Sequence, residues 1–101
     1  MHRFQKWRDA LQVAPSQKAV AGVMDNYIAA LPSEVWEVLP ADCASVLKSS
    51  TDVQATALCL VQAELTFQGS PEAAAVVHEV AHTFAVASLR LTSLHGAPLA
   101  D

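Results

Sequence analysis

Little in this 101-residue sequence invites flexibility, cross-linking or a membrane. Glycine occurs three times and proline five times, and the prolines fall between periodic segments, so a low-complexity linker has no compositional support. Charged residues make up only 16% against 52% apolar, a balance that points to a folded core rather than a solvated polyelectrolyte. Cysteine is scarce: Cys43 and Cys59 stand alone, without a CxxC pair, which excludes a disulfide-dense scaffold and a cysteine-rich zinc module. Two reduced, buried thiols are expected, with a Cys43–Cys59 bridge as the alternative. No apolar run of about twenty residues escapes interruption. The nearest, 73–89, is broken by His78, Glu79 and His82, so no membrane span is expected. Missing too are a glycine-rich phosphate loop, a Ser/His/Asp constellation, an internal repeat and the alternating pattern of β-strands.

What is present is unevenly charged. Residues 1–18 hold Arg3, Lys6, Arg8 and Lys18 against the single Asp9, whereas the remainder holds Lys48 and Arg90 against nine acids. An acidic body repels phosphate backbones, so nucleic-acid binding is not expected and the basic N-terminal segment reads as a solvated helix face. The segment Met1–Arg8 lacks the apolar core of a secretory signal, which sets a cytoplasmic expectation.

The apolar residues recur at helical intervals throughout. Phe4, Trp7 and Leu11 make one stripe over 2–13, and Pro15 ends that helix because its ring fixes φ and removes a donor. Ser16 is placed to cap a second helix whose Val20, Val23, Met24, Tyr27, Ile28 and Leu31 follow a core-facing spacing. Gly22 inside it would either permit a close crossing or be tolerated at a cost. Pro32 and Pro40 bound a short helix over 33–39 capped by Ser33, and a second short helix follows over 41–48. Trp36 reads as a core or bundle-end plug. Thr51 and Gln54 have capping-box spacing ahead of a helix over 52–68. That helix is apolar on two sides: Leu58, Val61 and Leu65 form one stripe, and Val53, Leu60 and Phe67 another. Gly69 then serves as a helix-ending residue and Ser70-Pro71-Glu72 opens the last helix, 71–94. A two-residue turn between long helices demands an antiparallel pair. The expectation is therefore one all-α domain over 1–101, a small bundle of about four to five helices. It ends in the αα-hairpin 52–68 / 71–94, with 95–101 a frayed tail.

One motif carries chemistry. In His78-Glu79-Val80-Ala81-His82 the two imidazoles, one turn apart, can reach a single zinc while Glu79 poises a metal-bound water. With its uncharged flanks Val76, Val77, Thr83 and Phe84, the segment resembles the zincin metallopeptidases over about ten residues. That resemblance implies zinc held by His78 and His82, with Glu79 as general base. A catalytic zinc also needs a third protein ligand. Ala85 and Ser88 stand where metzincins place Gly and His, and no Glu follows Glu79 to serve as in gluzincins. Glu64, His2 and His95 are the remaining candidates, with Glu64 set about one turn away in height from His78 if the hairpin is symmetric about Gly69. The helical wheel gives a plainer account, with Glu79, Thr83, Arg90 and His82 on the polar stripe of an amphipathic helix and His78 at its boundary.

Two functional expectations follow. The first is a protein-interaction or self-associating module without catalysis or cofactor, whose partner is another protein or a second copy. The second is a minimal zinc-binding protein or metallohydrolase built on His78, His82 and Glu79.

Overall fold

The computed structural model describes residues 5–49 and 52–95 and is all-α, with no strand among the described residues. Among the described residues six helices follow one another: α1 (Gln5–Gln12), α2 (Gln17–Ala30), α3 (Ser33–Val38), α4 (Ala41–Ser49), α5 (Val53–Thr66) and α6 (Pro71–His95). The short segments after Pro32 and Pro40 form helices of their own, as expected, and counting them separately gives six in this small all-α bundle among the described residues. None of the described helices is long and apolar enough to cross a membrane.

Local chemistry sets most boundaries. Ser16 caps α2 by accepting from the Ala19 amide, and Ser70 caps α6 by accepting from the Ala73 amide. Two caps differ from expectation. Thr51 lies outside the described residues, and it is Asp52 that caps α5, accepting from the Ala55 amide at 3.1 Å. Ser33 is already helical, because the Pro32 carbonyl accepts from the Val35 amide and puts the extended Pro32 in the cap position. Gly22 is exposed and a Cβ there would meet nothing within 4 Å, so no close crossing depends on it.

Helix α6 is the axis of the molecule, packing against α5, α1, α2 and α3, while α4 packs chiefly on α5. Its Val77, Val80, Ala81 and Phe84 are fully buried, as their spacing predicts. Opposite them lie Leu11, Val20, Met24, Tyr27, Val35 and Leu60. Tyr27 stands edge-on between Trp7 and Phe84, with ring centroids 5.8 and 6.1 Å away. Trp36 is half-buried, with the Lys48 ammonium 5.2 Å from its ring centre.

The hairpin is antiparallel, but its connection is longer than two residues. Helix α5 stops at Thr66, and residues 67–70 lead into α6. Gly69 does not adopt a positive φ, so it is not the left-handed helix end that its position suggests. Its role is space: a Cβ on Gly69 would come within 2.6 Å of the Phe67 ring.

Candidate functional site

The polar residues of α6 divide into two sides with different fates. The first comprises Glu79, Thr83 and Arg90, and it meets α1 rather than water. Arg8 is only 5% exposed and donates from Nη1 to the Glu79 carboxylate at 2.8 Å and to the Thr83 hydroxyl at 3.3 Å. Gln5 accepts a further bond from Arg8 Nη2, and the buried Thr83 hydroxyl donates to the Glu79 carbonyl. Two turns further on, Arg90 donates from Nε and Nη2 to the Ala14 carbonyl, satisfying an acceptor beyond the end of α1. Burial pushes the Tyr27 phenol up to about 12, with Thr83 and Arg8 partly opposing the shift. The solvated basic face expected for the first helix is thus corrected at Arg8, a buried partner of α6. Lys6 does remain exposed.

The second side carries His78 and His82, both exposed, with ring centroids 5.9 Å apart. The Glu64 carboxylate of α5 meets His78 Nδ1 directly. The separation of about one turn expected for Glu64 and His78 is therefore absent, because the hairpin is not symmetric about Gly69. The cross-helix pairs Glu64–His78 and Gln54–Thr92 centre on positions 71 and 73, displaced by the connection 67–70. Glu79 does not join this group: its carboxylate is engaged by Arg8. His95 closes α6, and His2 and residues 96–101 lie outside the described residues. Among the described residues, no group of three or more His, Cys, Asp or Glu side chains is arranged to hold a metal ion.

Beside the histidines lies an apolar surface. Leu58, Val61 and Leu65 of α5 are 67%, 38% and 80% exposed, so one of the two apolar stripes of this helix faces solvent while Leu60 occupies the core. Gln54 continues that stripe one turn earlier and donates to Thr92 of α6 at 3.2 Å, which fixes the stripe alongside α6. On α6 itself Leu89 is 70% exposed. It follows His78 by eleven residues, about three helical turns, and so shares its side of the helix.

Sequence reasoning overlooked Leu89 as a surface residue and Arg8 as a buried one. A signal for Arg8 existed: it lies on the same α1 stripe as Leu11, three residues on, so its guanidinium is carried inward with the apolar side chains. Compared with known proteins, the chain matches no protein-family model, no curated protein and no solved structure.

Proposed function

We propose that this chain is a non-catalytic helical interaction module that associates with a second copy of itself through the outer side of the α5/α6 hairpin. The observation that supports it is the exposure of Leu58, Val61 and Leu65 at i, i+3, i+7 spacing on α5. Fully burying one leucine is worth roughly 1.5–3 kcal/mol, and this is the driving force that a shared cover over the stripe would set against the cost of association. The rim suits a two-fold pairing, since it holds a carboxylate, Glu64, beside imidazoles, His78 and His82. An isologous interface pairs residue i with j and j with i, so a carboxylate and an imidazole on one rim can meet their unlike counterparts twice over. Sedimentation velocity over a concentration series tests this. A dimer is expected for the native chain, and a Leu58→Glu/Leu65→Glu variant with unchanged helical circular dichroism should remain monomeric. A native chain that sediments as a monomer at every concentration overturns the reading.

A second reading draws on the Glu64–His78–His82 geometry. Glu64 holds Nδ1 of His78, which leaves Nε2 as the nitrogen a metal would take, and the His82 ring lies 5.9 Å away; a carboxylate commonly orients a metal-binding imidazole in this way. Two histidines are half of a tetrahedral zinc set, and a second copy docked on the same side would supply the other half. The hydrolytic form of this reading has less support, because the Glu79 carboxylate that would activate water is bound to Arg8. Equilibrium dialysis against zinc followed by elemental analysis separates the cases. Zinc retained by the native chain and lost from His82→Ala supports the site, and a chain that retains none dismisses it.

A further inference from the structure

The two cysteines, sixteen residues apart in sequence, meet in the fold. Cys43 on α4 is buried, Cys59 on α5 is half-buried, and their Sγ atoms lie 3.5 Å apart without a bond. The Cys43 thiol also leans on the Cys59 carbonyl at 3.9 Å, so the two side chains share one contact rather than passing each other. We propose that Cys43 and Cys59 form a reversible thiol–disulfide pair that closes when a low-molecular-weight disulfide such as oxidised glutathione reaches Cys59. A disulfide spans about 2.05 Å between sulfurs, so closure requires an approach of about 1.5 Å, within the range of side-chain rotation and a small shift of α4 on α5.

The roles of the two thiols follow from burial. Cys59 is the one a dissolved reagent can touch, and its thiolate attacks one sulfur of the glutathione disulfide. This forms a Cys59–glutathione mixed disulfide and releases one glutathione thiolate, which takes up a proton. Cys43 then loses its proton and attacks Cys59 Sγ, forming the internal bond and releasing the second glutathione. Two protein thiols are oxidised and one small disulfide is reduced to two thiols. Burial, followed by the hydrogen bond to Cys59, pushes the Cys43 thiol up to about 12, so this second step is the slow one.

Closure would tie α4, which packs chiefly on α5, to the helix that carries the exposed leucines. Cys59 lies one residue after Leu58 and so on a different side of α5, which leaves the leucine stripe uncovered by the bridge. The pair is therefore a clamp on the platform rather than a plug in its surface, and it is independent of whether the chain self-associates.

Incubation of the reduced full chain with oxidised glutathione, followed by intact mass and a non-reducing peptide map, tests the proposal. The expected product has lost two hydrogen atoms, joins Cys43 to Cys59 within one chain, and returns to two thiols with dithiothreitol. Its thermal midpoint should rise by roughly 10 °C, since the bridge closes a loop of about fifteen residues. Cys43→Ser should instead accumulate the glutathione adduct on Cys59. Thiols that stay unmodified, a stable adduct on the native chain, or a bridge only between chains would each overturn it.

Discussion

The two polar sides of α6 look alike as letters and differ completely in the fold. Glu79 and Thr83 on one side are drawn under α1, where Arg8 satisfies them, and Arg90 reaches the Ala14 carbonyl. His78 and His82 on the other are exposed, with Glu64 paired to His78, and Leu58, Val61 and Leu65 of the neighbouring helix are exposed as well. The contrast shows that a polar stripe on a helix marks where hydrogen bonds are made, with protein or with water, and not where solvent is. It also separates residues that hold the molecule together from residues that the fold does not need. The surface with no structural task is the place to look for function.

Substitutions should reproduce that division. The largest effect is expected from Arg8→Ala, which leaves the partly buried Glu79 carboxylate without its partner. Urea denaturation should register a loss of about 3 kcal/mol. Thr83→Val keeps the shape of a fully buried side chain but removes one acceptor of Arg8 and one donor to the Glu79 carbonyl, and should cost about 1.5 kcal/mol in the same assay.

Alkaline pH probes the same side through Tyr27. Its phenol is held at about 12 in the fold against 10.0 in a solvated chain, so between these values the unfolded state binds fewer protons than the native one. Stability contributed by the protonated phenol is then complete below pH 10 and declines as pH rises towards 12. A loss of about 1 kcal/mol from Tyr27 by pH 11 is expected in denaturation titrations. Cys43 adds a decline in the same direction from pH 9.0 upward, and Cys43→Ser should remove that early portion.

The smallest effect belongs to the outer side. His78→Ala removes an exposed contact to Glu64 and should change stability by less than about 0.5 kcal/mol. A cost for His78→Ala comparable to that of Arg8→Ala would erase the distinction between the two sides.

Much of the architecture was legible because its causes are local. Pro15 and Ser16, or Ser70 and Pro71, set helix ends through the geometry of adjacent residues, and the buried Val77, Val80 and Phe84 have the i, i+3, i+7 spacing of one helix face. The short helices fall within a residue of their expected bounds, and only the cap differs, since Pro32 takes the position that Ser33 was expected to hold. The site was legible only as a set of residues. His78, His82 and the Leu58/Val61/Leu65 stripe stood out by their spacing, but their surroundings are set by long-range packing. Arg8 and Glu79 are 71 residues apart, and nothing near either one announces the other. The contact between Glu64 and His78 depends on hairpin register, which follows from α5 ending at Thr66 and α6 beginning at Pro71.

Hydrogen exchange read by mass spectrometry at low and high protein concentration tests most directly whether the outer side of the hairpin is the working surface. Association through it should add protection at high concentration across residues 58–65 and 78–89, with residues 8–14 unchanged. Protection that is independent of concentration, or that grows at α1 instead, would contradict the assignment.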